Sequence, residues 1–106
     1  MSGSFGDMGN LLKQAQEMQR QLDLAREALK SEIVVGTGGG GVVRVEVNGE
    51  GEVLAINLDD NVASGEKSML EDLILAALRD GIGQAQRLRK ERLGKVTGGL
   101  NLPGTF

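Results

Sequence analysis

The first third of the chain carries an unbroken heptad pattern of apolar residues. Between residues 8 and 31 the apolar positions follow alternating steps of three and four: Met8, Leu11, Ala15, Met18, Leu22, Ala25 and Leu29. This seam is narrower than the apolar stripe of a helix lying on a globular core, and it is typical of a helix packed along another long helix. Asp7 is predicted to cap the helix, since its carboxylate can accept from the backbone N–H groups of the first turn.

After residue 31 the spacing changes from helical to alternating. Residues 32–35 are mostly apolar and β-branched, which predicts a short strand. Residues 42–48 form a second strand, with valines at 43, 45 and 47 on one face, and residues 52–58 form a third with an apolar face at Leu54, Ile56 and Leu58. The sequence Asn-Gly-Glu-Gly at 48–51 indicates the turn between them.

The glycine-rich segment 36–41 matches the dinucleotide pattern G-x-G-x-x-G. That motif requires a helix directly after the glycines, because the helix N-terminus holds the pyrophosphate. Here an alternating strand follows, so nucleotide binding is rejected. We interpret the segment as a loose loop joining two strands.

A second long helix is predicted from Ser64, which can cap it, to about Gly94, which marks its end. Leu70, Leu73, Ile74, Ala77 and Leu78 form an apolar stripe that should dock on the sheet. Gly81 and Gly83 interrupt this pattern, and each costs about 1 kcal/mol relative to alanine within a helix. Either the helix bends there or another backbone passes close to it.

These elements predict an α+β fold in the order α-β-β-β-α, with a small three-stranded antiparallel sheet. Helices of about 35–45 Å must overhang a sheet about 15 Å wide. Projecting helical pairs and open sheet edges favour a homodimer. The expected division is a flexible lead at 1–7, a single domain at 8–95 and a flexible tail at 96–106.

Composition restricts the chemistry of the chain. It has neither cysteine nor histidine, which removes thiol chemistry, the usual zinc sites and the commonest general base. We therefore expect no enzyme, cofactor or metal, and no small-molecule substrate. No stretch reaches the length of a membrane helix and no signal peptide is recognisable, so a cytoplasmic protein is the default expectation.

Positive charge is concentrated near the end of the second helix, although the formal net charge is −3. The candidate DNA-binding residues there surround a single acid, Glu91: Arg87, Arg89, Lys90, Arg92 and Lys95. Lys13, Arg20 and Arg26 of the first helix are possible additions. The alternative interpretation is a solvated helix end favoured by the helix dipole. The predicted sheet is acidic, with Arg44 against five acids between residues 33 and 64, and is an unlikely surface for nucleic acid.

Several segments, taken in order, resemble the YbaB/EbfC family of bacterial nucleoid-associated proteins. They are Gly-Asn-Leu-Leu-Lys-Gln-Ala-Gln at 9–16 with Met-Gln at 18–19, the glycine-rich loop leading into Val-Val-Arg-Val at 42–45, the Asn-Gly turn at 48–49, Met-Leu-Glu-Asp-Leu at 69–73, and Gly-Gly-Leu-Asn-Leu-Pro-Gly at 98–104. The resemblance implies a small dimeric DNA-binding protein of tweezer-like shape, located in the cytoplasmic nucleoid.

Two functions follow as hypotheses. The first is binding of double-stranded DNA by a homodimer, with low sequence preference because no recognition helix or aromatic platform is evident. The second is a non-enzymatic interaction module, chaperone-like or recombination-accessory, that grips another protein through the heptad seam. Met8, Met18 and Met69 would suit such an adaptable surface.

Overall fold

The computed structural model describes residues 2–98, and the side chains from residue 7 onward. The predicted α+β order is confirmed, with one additional turn of helix before the last element. The elements are α1 (Ser2–Leu29), β1 (Ile33–Gly38), a 3-10 turn (Gly39–Gly41), β2 (Val43–Asn48), β3 (Val53–Leu58), α2 (Asp60–Ala63) and α3 (Lys67–Val96). Residues 99–106 of the predicted tail lie outside the described residues, and the division into lead, domain and tail stays a prediction.

Two predicted helix starts are wrong. α1 begins at Ser2, so Asp7 lies within the helix and does not cap it. No proline stands between residues 2 and 7 to end the helix there. α3 begins at Lys67 with Glu66 at its N-cap position, whereas Ser64 ends the short helix α2. The Ser64 hydroxyl donates to the carbonyl of Asp60 at 3.1 Å instead of capping α3.

The sheet is an antiparallel meander in the order β1-β2-β3. Val45 in the central strand pairs with Gly36 on one side and with Ile56 on the other. A β-bulge shifts the register between Glu46 and Val47, where Ala55 and then Val53 are their partners. Leu54 is therefore the extra residue of the bulge, and the regular alternation predicted for β3 ends there.

The core lies between one face of the sheet and α3. Val43, Val45 and Val47 are fully buried against Ala77 and Ala85. The predicted docking stripe of α3 is confirmed, because Leu70, Leu73, Ile74 and Leu78 pack around this cluster. α3 packs over β1 and β2. The third strand is less covered, and Val53, Leu54 and Ile56 remain 43–52% exposed.

The glycine-rich segment is only partly a loop, which corrects the prediction for 36–41. Gly36 and Gly38 belong to β1 and are buried beneath α3. A Cβ atom on Gly36 would stand 2.2 Å from the carbonyl oxygen of Ala77, and one on Gly38 would stand 2.3 Å from that of Leu73. Glycine is required because the strand and helix backbones are nearly in contact. Only Gly39–Gly41 turn the chain, with positive φ at each.

The same contact explains Gly81. α3 continues through this position without interruption. A Cβ atom on Gly81 would meet Val47 Cγ2 at 2.9 Å and the Gly36 nitrogen at 3.3 Å. Ala77, Gly81 and Ala85 recur every four residues and form a ridge of small residues on which β1 lies. Gly83 has no such neighbour, since a Cβ there would meet only Arg87 Nη1 at 3.5 Å.

α1 packs against α3 along part of its seam, as predicted. Leu29 and Leu93 are fully buried at this junction, while Met8 and Leu11 are 61% and 63% exposed. Gly49 of the β2–β3 turn lies against Leu29 and donates its N–H to the Leu29 carbonyl at 2.9 Å. The described part of the molecule measures 76 × 23 × 16 Å, because α1 projects beyond the sheet.

Candidate nucleic-acid interface

The basic end of α3 does not form one continuous patch. Successive residues of a helix are rotated by about 100°, so cations at 87, 89, 90, 92 and 95 point in several directions. The structure separates them into residues that hold the fold together and residues that face solvent.

Arg92 and Arg89 are engaged within the protein. The Arg92 guanidinium donates to Glu32 Oε1 at 2.6 Å, and its second nitrogen lies 2.5 Å from Glu32 Oε2. Arg89 Nε lies 3.7 Å from Glu50 Oε2. Glu32 directly precedes β1 and Glu50 lies in the β2–β3 turn, so both pairs attach α3 to the same corner of the sheet. Arg92 is therefore a poor candidate for phosphate contacts, and Arg89 is a weaker candidate than the unpaired cations because Glu50, its partner, is only 21% exposed.

Arg87 and Lys90 are exposed, and within the described residues neither has a carboxylate closer than 4 Å. They are three residues apart and lie side by side on the helix. Lys95 is also exposed and is only loosely paired with Glu91, at 3.5 Å. Such an i,i+4 pair is weak in water and leaves the ammonium available to a phosphate.

Arg79 was missed by the sequence analysis. It is exposed and has no ion pair among the described residues. The spacing 79, 83, 87, 90 follows steps of four, four and three, which places these residues along one side of the helix. Gly83 leaves room on this side, and the Arg87 guanidinium lies close to it. The sequence contained one signal for Arg79, which is its spacing of eight residues from Arg87 along the same side of the helix. We call Arg79, Arg87 and Lys90 the basic ridge.

The three candidate DNA-binding residues of α1 differ in their exposure and in their ion pairs. Lys13 is exposed and without an ion pair among the described residues. Arg20 is exposed but donates two hydrogen bonds to Glu17, at 2.6 and 3.0 Å. The Arg20 and Gln21 hydrogen bonds lower the pKa of Glu17 to about 2. Arg26 is half-buried, and its Nε is buried without a hydrogen-bond partner among the described atoms. Lys13 and Arg20 lie seven residues apart on the face opposite the seam.

The sheet and its turns carry more acidic than basic groups. Arg44, its single base, donates to the carbonyl of Gly41 and pairs with Asp59 at 3.1 Å. Glu46, Glu50 and Glu52 therefore dominate that side of the molecule. Phosphate would be repelled there, so the exposed cations of the helices are the candidate surface for a polyanion.

Asp80 lies beside the basic ridge and forms a hydrogen bond with the backbone of β1. Its carboxylate accepts the N–H of Thr37 at 2.9 Å, and Gln84 donates to the carbonyl of Val35 at 2.8 Å. The hydrogen bond from Thr37, then that from Gln84, and last the charge of Arg87 lower the pKa of Asp80. These side chains occupy backbone groups of β1, an edge strand, and block part of that edge.

Comparison with known proteins decides the family. The model of the YbaB/EbfC DNA-binding family matches residues 5–100. The chain belongs to this family of nucleoid-associated, DNA-binding proteins. The resemblance seen in the sequence is thereby confirmed.

Two relatives and one solved structure agree with this membership. The chain is 45% identical over 98 residues to a nucleoid-associated protein of Desulfotalea psychrophila, covering 92% of each chain. It is 38% identical over 105 residues to a nucleoid-associated protein of Alkaliphilus metalliredigens, covering 98% of this chain and 92% of the relative. The crystal structure of an uncharacterized Helicobacter pylori protein superposes with a TM-score of 0.63 at 28% identity, covering 73% of this chain and 90% of that one.

The part of the chain between residues 2 and 98 contains no cluster of acidic residues that could hold a metal ion. None of its described helices is long and apolar enough to cross a membrane. The family is described by DNA binding and not by a catalytic reaction.

Proposed function

We propose that the protein binds duplex DNA with little dependence on base sequence, as a homodimer and in the nucleoid, where it influences nucleoid organisation and gene expression. Family membership carries the choice of DNA as the ligand. The basic ridge supplies exposed cations on the rigid helix α3, and Lys95, Lys13 and Arg20 extend the positive surface. Arg89, Arg92 and Arg26 contribute mainly to packing and ion pairs.

The charge distribution along α3 supports low sequence preference. Recognition helices enter the major groove with their N-terminal residues against the bases. The first turns of α3 carry Glu66, Glu71 and Asp72. If this end of the helix entered the major groove, the phosphates would repel these carboxylates. The ridge instead lies along the side of the helix, where lysine and arginine contact the DNA backbone. Backbone contacts position a protein on DNA without reading its sequence.

The sheet supports the homodimer. β3 presents Val53, Leu54 and Ile56 with 43–52% of their surface exposed. Whereas side chains of α3 occupy part of the β1 edge, β3 is the other edge of the sheet. A second copy would cover this apolar strand. It would also duplicate the ridge, so that two weak contacts act on one duplex.

A salt-titrated gel shift tests the proposal. Arg87→Glu with Lys90→Glu should abolish the shift, because both substitutions replace phosphate contacts with repulsion. For single substitutions that leave measurable binding, each lost contact should reduce the magnitude of the slope of log affinity against log salt by about 0.9. The matched control is Lys30→Glu with Lys67→Glu, which changes the net charge equally at exposed positions away from the ridge.

Equal weakening by both double variants would contradict the assignment of the ridge. Reversal of all four of Arg87, Arg89, Lys90 and Arg92 is less informative, since glutamates at 89 and 92 would face Glu50 and Glu32 and disturb the fold. An absence of DNA binding by the unmodified protein even at low salt would favour the alternative, a protein-interaction module that uses the exposed seam of α1.

A further inference from the structure

An open apolar groove of about 580 Å³ follows the seam of α1 beyond the point where α3 ends. Its apolar lining consists of Leu11, Ala15, Met18, Leu22 and Val96. The remaining lining residues, Gln14 and Gln19, are polar but uncharged. A volume in this range accommodates several apolar side chains. The heptad seam predicts a helical partner over at least part of its length, and α3 stops at Val96, so α3 does not cover this part.

The chain continues from the groove itself. Val96 is both the last residue of α3 and part of the groove lining. The sequence after it, Thr-Gly-Gly-Leu-Asn-Leu-Pro-Gly-Thr-Phe, contains no charged residue. Leu100 and Leu102 stand two positions apart and Phe106 follows. Two glycines at 98–99 allow the backbone to change direction after the helix.

We propose that residues 99–106 of the same chain bind in this groove and complete the apolar cover of α1. Leu100 and Leu102 would replace the missing helix against the seam, and Gln14 and Gln19 would donate to or accept from the backbone of the segment. An extended chain advances about 3.3 Å per residue, so Leu102 can lie about 20 Å from Val96. Leu11 and Leu22 are separated by about 16 Å on α1. The segment is therefore long enough to follow the groove.

The groove favours this occupant over α1 of a second copy. A segment tethered at Val96 has an effective concentration in the millimolar range, well above that of a second chain in solution. The uncharged segment also matches a groove without charged side chains. This proposal does not depend on DNA binding.

Hydrogen exchange of the full-length protein provides the first test. Truncation after Gly98 should accelerate exchange of the α1 amides between residues 11 and 22 by about fivefold, because local opening becomes easier. Amides of β2 should be unaffected. Leu100→Asp with Leu102→Asp should reproduce the effect, whereas Asn101→Asp, which adds charge to the segment but keeps both leucines, should have a smaller effect. Unchanged exchange of α1 in the truncated and double variants would overturn the proposal.

Disulfide trapping identifies which chain supplies the segment. The protein has no cysteine of its own, so Met18→Cys with Leu100→Cys introduces a single possible pair per chain. Oxidation should give a cross-linked product of monomer mass. Leu24→Cys with Leu100→Cys is the matched control, because Leu24 is exposed outside the groove. A product of dimer mass, or equal trapping in the control, would overturn binding within the same chain.

Discussion

At the scale of single residues, Gly36 decides how closely the sheet and helix approach. Its position beneath α3 leaves no volume for a methyl group, since Ala77 O and Gly81 N would lie 2.2 and 2.3 Å from the added Cβ. The neighbours are backbone atoms, which cannot rotate away as a flexible side chain can. Gly36 is therefore needed because it has no side chain, which lets β1 and α3 approach closely. The sequence alone suggested a flexible loop at this position.

Gly36→Ala should lower the free energy of unfolding by about 3 kcal/mol, the upper range for overpacking a tight interior. Urea denaturation measures this change. Gly94→Ala is the control: it adds the same methyl group to α3, where nothing lies within 4 Å, and should stabilise the helix by up to about 1 kcal/mol. Equal effects of the two substitutions would contradict the close contact.

Asp80 is the second residue with a defined structural task, and its lowered pKa makes that task dependent on pH. A depressed carboxyl pKa stabilises the fold fully above the unfolded value of about 3.9. This stabilisation is lost as pH falls through the lower folded value. Asp80→Asn should thus be less stable than the unmodified protein at pH 7, and the difference should shrink below about pH 4. Thermal unfolding at several pH values measures it; a constant difference would exclude the charged carboxylate as the cause.

At the scale of elements, α3 both packs on the sheet and carries the residues proposed to bind DNA. The cations between residues 87 and 95 are close together in sequence, and the sequence alone therefore predicts one patch. Helical rotation places Arg89 and Arg92 against the corner of the sheet, and Arg87 and Lys90 towards solvent. Their different roles depend on Glu32 and Glu50, which are distant in sequence.

A double-mutant cycle with Arg92→Met and Glu32→Gln should give a coupling free energy of at most about 1 kcal/mol. The side chains are 38% and 35% exposed, so solvent screens much of their attraction. The Arg92 variant should retain most of its DNA affinity, unlike the ridge variant. A loss of DNA binding equal to that of the ridge variant would show that Arg92 faces the ligand instead of the sheet.

At the scale of the whole molecule, the uneven cover of the sheet determines how the protein can assemble. α3 lies over β1 and β2, and Ile56 of β3 remains 47% exposed although it pairs with fully buried Val45. Ile56 lies on the same face of the sheet as Val45, but α3 does not extend over this part of the face. In the proposed homodimer, a second copy of the chain covers this exposed part of β3.

Ile56→Asp should shift the protein from dimer to monomer at micromolar concentration, because a carboxylate would be buried in the proposed interface. Light scattering measures the mass. Leu24→Asp, at an exposed position of α1 away from the seam, should leave the mass unchanged. A monomeric mass for the unmodified protein would refute the homodimer itself, and a dimeric Ile56 variant would place its interface elsewhere.

The sequence alone determined the order of the elements, the buried face of β2 and the apolar stripe of α3. These features follow from local periodicity, which a single chain expresses directly. It also determined the family, through motifs spread along the chain. The heptad seam of α1 correctly indicated a helical partner, but gave no sign of where that partner ends.

The tertiary structure decided which residues distant in sequence come into contact. The contact between Gly36 and Gly81, the bulge at Leu54 and the pairing of Arg92 with Glu32 join positions far apart in sequence. Periodicity within one element contains no information on such distances. The helix starts at Ser2 and Lys67 were missed because capping residues are frequent, and only the backbone conformation selects among them. The basic ridge likewise became visible only after the packed arginines had been separated from the exposed ones.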